Sequence, residues 1–255
     1  MAADGTFVWY ELMTTDLAAA SAFYSTVNGW EVVDSGMPGQ TYLIAQAAGV
    51  PMGGIMGMPE AVLAAGHGPA WRGMVSADVD KTAASITAAG GRVLRAPEDI
   101  PGVGRFAVVA DPQGAVFQLF RGNGEPPPPV TPFTPGHVGW HELHTTDGVA
   151  AFAFYATQFG WTKGSGHDMG PMGIYQLFQI NGTDAGGIMT KDPAAPNPFW
   201  VYYFITADID AAMARVGQAG GTVLRGPDQV PGGAWIAVCK DPQGAGFALV
   251  GTRGA

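Results

Sequence analysis

At 255 residues, with 47% hydrophobic and 13% charged residues, the chain has the composition of a folded protein with room for two ordinary domains, which excludes a disordered chain. A net charge of −9 without any Lys/Arg run argues against nucleic acid or an anionic membrane surface as partner. The single cysteine, Cys239, rules out an intrachain disulfide and a cysteine-based zinc site.

The opening MAADGTFVWYEL shows no basic segment followed by an apolar core, and no apolar run approaches 18 residues. The expected compartment is therefore the cytoplasm. FVWYELMT reads as a strand rich in aromatic residues, and TTD offers a helix N-cap at Thr15 or Asp16. LAAASAFYSTVN is the helix, stopped by Gly29. Three short strands follow in WEVVDSG, TYLIAQAA and MGGIMGM. WRGMVSA is the next strand, and Asp78 or Asp80 caps a helix running to about Ala89. The strands GRVLRAP, GRFAVVADP and AVFQLF close the first half. RGNGEPPPPVTPFTPG then reads as an extended linker, because consecutive prolines stiffen the chain. Beyond it the same order returns, with strands near 137–144 and 200–206 and helices near 148–158 and 209–218.

The return is close to literal. WYELMTTDLAAASAFYSTVNGW from Trp9 recurs as WHELHTTDGVAAFAFYATQFGW from Trp140, and GGIM at Gly53 recurs at Gly186. GGRVLRAPEDIPG from Gly90 recurs as GGTVLRGPDQVPG, and ADPQGAVFQL from Ala110 as KDPQGAGFAL. A unit this long is too large for a solenoid repeat, so a domain has been duplicated. The expected organisation is residues 1–122, a linker over 123–136, and residues 137–255. The expected class is α+β, with four βαβββ modules paired into two half-open barrel domains. A βαβββ unit covers one sheet face with its helix and must bury the other against a second unit, which is why a pocket is expected.

The combination TTDxxxxxxFYxxxxGW, an ADVD or ADID helix start, GGxVLRxP and DPQGxxFxL resembles the vicinal-oxygen-chelate superfamily in both halves. That group includes glyoxalase I, bleomycin-resistance proteins and extradiol dioxygenases. The resemblance implies a divalent metal held inside each barrel by His, Glu or Gln. It places the first ligand at Trp9 and Trp140, the second at Arg72 and Tyr202, the third at Gln118 and Ala248, and the fourth near Met56 and Met189. Of these side chains only the Gln118 amide is a metal ligand. No metal is assigned on this reading, and an atypical divalent site at Glu142 and His144 stays open.

Strand alternation sets Trp9, Glu11 and Met13 on one face, and Trp140, Glu142 and His144 on the same face of the second copy. The resemblance turns that face inward, with Val8, Tyr10 and Leu12 toward the helix. A carboxylate in an aromatic cavity suits general-base chemistry, so Glu142, His144 and Glu11 are the catalytic candidates. The bland alternative is that both glutamates simply accept hydrogen bonds that hold the sheet. Trp9, Arg72, Gln118, Trp140 and Tyr202 are the ligand-binding candidates, with Arg72 suited to a carboxylate or enolate. Three readings follow: a lyase or isomerase acting on a small apolar or aromatic metabolite, a metal-independent sequestering protein of bleomycin-resistance type, and a scaffold with closed pockets. Monomer and homodimer both remain open.

Overall fold

The computed structural model describes residues 4–125 and 130–254, so the four prolines of the expected linker lie outside the described residues. The first half runs β1 (Phe7–Thr14), α1 (Leu17–Asn28), β2 (Glu31–Asp34), β3 (Tyr42–Ala47), β4 (Val50–Gly57), α2 (Glu60–Ala64), β5 (Ala70–Ser76), α3 (Val79–Ala88), β6 (Arg92–Ile100), β7 (Gly104–Ala110) and β8 (Val116–Gly122). The second runs β9 (Val138–Thr145), α4 (Gly148–Phe159), β10 (Thr162–Asp168), β11 (Ile174–Ile180), β12 (Thr183–Thr190), β13 (Phe199–Thr206), α5 (Ile209–Gln218), β14 (Thr222–Gln229), β15 (Trp235–Lys240) and β16 (Gly246–Gly251). The strands form two eight-stranded mixed sheets, ordered β2-β3-β4-β1-β5-β8-β7-β6 and β10-β11-β12-β9-β13-β16-β15-β14. The α+β class and the fourfold βαβββ order are therefore as expected. The short α2 was not read from the sequence. No helix among the described residues is long and apolar enough to cross a membrane.

The helix starts follow from the sequence. Asp16, Asp78, Asp147 and Asp208 each accept a backbone N–H from the first turn, satisfying donors that a helix leaves unpaired. Gly29 and Gly160 end α1 and α4 in the left-handed region, at φ 71° and 70°, where a side chain would be strained.

Contacts divide the chain into two compact units. The first contains Met1–Val8, Arg72–Pro126 and His141–Val201; the second contains Trp9–Trp71, Pro127–Trp140 and Tyr202–Ala255. Each unit thus draws on both copies of the repeat.

In the second unit the core gathers on Tyr24 of α1. Its ring stacks on Trp30 at 5.4 Å and meets Trp71 and Phe247 edge-on at 5.2 and 5.5 Å. The Trp71 indole donates to the Tyr24 hydroxyl at 2.8 Å, which donates to the buried Asp241 at 3.1 Å. The first unit repeats this around Tyr155 of α4. Trp200 donates to its hydroxyl at 3.3 Å, and that hydroxyl donates to Asp111 at 3.1 Å. Cys239 is fully buried and its thiol is pushed up to about 12 by desolvation, so it is a small apolar filler.

His141 gives the first unit a pH dependence. Its ring stacks on Phe7 at 4.0 Å, and Nδ1–H donates to the Ala185 carbonyl at 2.7 Å. Burial lowers its pKa from 6.5 to about 4, against the opposing effect of that hydrogen bond. A base depressed in the fold takes up its proton first in the unfolded chain. Its stabilising contribution is complete above pH 6.5 and is lost as pH falls toward 4. The window corresponds to about 3 kcal/mol. Urea unfolding at pH 7 and pH 4.5 should show His141→Gln losing about 2–3 kcal/mol less than the parent over this range. Equal losses would mean that His141 is not the titrating group.

Candidate active site

The site on the first unit begins with β9. Its VGWHELHT pattern alternates, so Trp140, Glu142 and His144 share one side while the buried His141 and Leu143 take the other. Glu142 is held at both oxygens. His144 Nε2 lies 2.6 Å from Oε1, and the Tyr175 hydroxyl donates to Oε2 at 2.9 Å. With the carboxylate ionised, the Nε2–H is the donor. The imidazole lies in parallel against the Phe199 ring, at 4.7 Å and 8°. Phe199 is 40% exposed, so solvent reaches the edge of this cluster.

The repeated glycine pair explains how a tyrosine reaches the glutamate. β12 lies between β11, which carries Tyr175, and β9, which carries Glu142. Neighbouring strands are about 4.8 Å apart, so Tyr175 must reach across the intervening strand. Gly187 is in register with Glu142, and a Cβ there would lie 2.1 Å from the Tyr175 ring. Gly186 is needed for a different reason, because its Cβ would meet the His141 carbonyl at 2.1 Å.

The second unit carries the same device from the first copy. Tyr42 lies over Gly54, whose Cβ would fall 1.9 Å from the hydroxyl. That hydroxyl accepts from Trp9 Nε1 at 2.9 Å and donates to Glu11 Oε2 at 3.3 Å. Burial first, and then the Glu11 charge, push the Tyr42 hydroxyl above its ordinary range and keep it a donor. Two features differ. Met13 occupies the position of His144, facing Met56 as His144 faces Met189. Glu11 and Met13 are both buried, whereas Glu142 and His144 are half-buried.

Sequence reading missed Tyr42 and Tyr175. Both recur at the spacing of the GGIM segments, and a glycine pair inside a strand signals close approach from a neighbour.

Trp140 is half-buried on the Glu142 side of β9. Arg72 is half-buried on β5, and Gln118 is buried on β8 in register with Met74, so both belong to one face of the first unit.

Tyr202 does not occupy the position equivalent to Arg72. Ser76 exchanges backbone hydrogen bonds with Gly5 and Thr6, and Ile205 exchanges the equivalent pair with Gly136 and His137. Ser76 therefore corresponds to Ile205, and β13 has one more residue than β5 before its helix cap. Asp78 follows Ser76 by two residues and Asp208 follows Ile205 by three, and a one-residue slip turns a side chain to the opposite face. The residue matching Arg72 is Val201. Tyr202 is fully buried with its ring edge-on to Tyr10 at 5.4 Å.

The ligand positions implied by the resemblance are poor in metal donors. In the second unit they are Trp9, Met56, Trp140 and Ala248, none of which is a hard-cation ligand. In the first unit they are Arg72, Gln118, Met189 and Val201, of which only the Gln118 amide offers a donor oxygen. Among the described residues no three His, Cys, Asp or Glu side chains converge. Glu142 and His144 supply two donors that already bond each other. This donor set does not fit a metal site of that kind.

The sequence profile of the Glyoxalase/Bleomycin resistance protein/Dioxygenase superfamily matches residues 6–119 and 134–249. The chain belongs to this superfamily. It is 33% identical over 250 residues to the "Putative glyoxylase CFP32" of Mycobacterium bovis, covering 96% of this chain and 94% of that one. It is 34% identical over 267 residues to the anthracycline biosynthesis protein DauV of Streptomyces sp. strain C5, covering 99% and 95%. Among solved structures, the Mn(II)-bound glyoxalase from Novosphingobium aromaticivorans superposes with a TM-score of 0.68 at 17% identity, over 98% of this chain and 83% of that one. At such identity the superfamily likeness between the two structures is one of fold.

Proposed function

We propose that the chain is an enzyme that moves a proton on a small apolar or aromatic metabolite, with Glu142 as general base and His144 as the residue that orients it. The observation that carries this reading is the Glu142 carboxylate gripped from both sides, with the gripping His144 stacked on the 40% exposed Phe199 ring. Glu142 takes a proton from a carbon next to a carbonyl, and the C–H electron pair becomes the enolate double bond. Returning that proton to the other end of the enol system completes an isomerisation with no atom lost. The flat aromatic plate suits a planar ring system. The relative named for anthracycline biosynthesis supports polycyclic aromatic ketones as the first substrates to test, and the relative named glyoxylase supports hemithioacetals of 2-oxoaldehydes.

The second reading is sequestration without turnover. The first copy favours it locally, since Met13 stands where the orienting histidine would be. The two readings separate with both probe classes. Tryptophan quenching reports binding, and product analysis reports turnover. On the proposed reading, Glu11→Gln keeps turnover within about threefold of the parent while Glu142→Gln loses it. Turnover lost only in Glu11→Gln would move the site to the first copy. Quenching without turnover in every variant would favour sequestration.

A further inference from the structure

We infer that Tyr175 is a positioning residue for Glu142, and that Gly187 is a glycine in order to admit its ring. This rests on the proposed role of Glu142. A glutamate has three rotatable bonds, and one hydrogen bond from His144 would leave its carboxylate free to swing. The Tyr175 hydroxyl fixes the second oxygen at 2.9 Å, while His144 holds the first at 2.6 Å. The carboxylate plane is then set by two donors on different strands. The reach from β11 to β9 crosses β12 at Gly187, and any side chain there would occupy the space of the phenol ring. Tyr175 itself is half-buried and does not supply the proton in the reaction; it acts through the carboxylate.

The test uses the full chain and two readouts. In Tyr175→Phe, kcat on the probe substrates should fall about tenfold with KM unchanged, the pattern of a lost transition-state interaction. Independently of turnover, proton NMR of the ligand-free parent should show a downfield, slowly exchanging resonance from the His144 Nε2–H. That resonance should broaden or vanish in Tyr175→Phe and persist in Tyr42→Phe, its counterpart in the other unit. Gly187→Ala should reproduce Tyr175→Phe. If that variant does not fold, Tyr175→Phe alone decides. An unchanged resonance and unchanged kcat in Tyr175→Phe overturn the inference. Loss of the resonance while Glu142→Gln keeps full turnover would retain the positioning and discard the catalytic role of Glu142.

Discussion

Replacing Glu142 by Gln should lower kcat by about 10²–10⁴-fold, the range that a positioned general base contributes, while ligand affinity stays within a few-fold. The amide keeps the shape and an acceptor for Tyr175, so a change in packing is a poor explanation for such a loss. It removes the acceptor for a substrate proton and the charge that His144 Nε2–H addresses at 2.6 Å. His144→Gln should fall by less, since it loses orientation but not the base. The double variant should fall no further than Glu142→Gln alone, because residues acting as one unit are not additive. Rate assays on the parent, the two single variants and the double variant check this. Additive losses would show that the two residues act separately.

The second large effect concerns stability. Asp111→Ala should cost about 3–5 kcal/mol, a large share of the 5–15 kcal/mol typical of a folded protein. Asp111 is 2% exposed, and its Oδ1 accepts from the backbone of Gln113, Gly114 and Ala115 at 2.7–2.9 Å. Its Oδ2 accepts from Tyr155. Alanine leaves all these donors without that partner in a turn buried at Asp111 and Ala115 and half-buried at Gln113 and Gly114. Asp111→Asn keeps an acceptor and the shape, so it should cost less. Asp16→Ala, which removes only an exposed helix cap, should cost about 1 kcal/mol. Denaturant midpoints for the three variants check the order. A cost for Asp111→Ala no greater than that for Asp16→Ala would contradict the assignment of Asp111 as the holder of this turn.

These aspartates show how much was legible. DPQG, read only as a family signature, turns out to be a carboxylate closing its own loop and holding the tyrosine of a helix. Caps, helix stops and the fourfold module order were readable because they depend on local spacing. The Glu142–His144 pair was readable because alternation on one strand brings residues two apart to the same side. Tyr175 was not, since its contact with Glu142 depends on which strand lies between them. Tyr202 was misplaced because one additional residue in β13 is invisible without the backbone pairing of Ile205.

Solvent-deuterium exchange reads whether Glu142 removes a carbon-bound proton. A polycyclic aromatic ketone and a 2-oxoaldehyde hemithioacetal would each be incubated with the full chain in D₂O, and the recovered ligand examined by mass spectrometry. The parent and Glu11→Gln should place deuterium at the carbon next to the carbonyl of at least one probe, and Glu142→Gln should not. A probe that binds and quenches tryptophan fluorescence yet gains deuterium equally with the parent and with Glu142→Gln would contradict Glu142 as the general base.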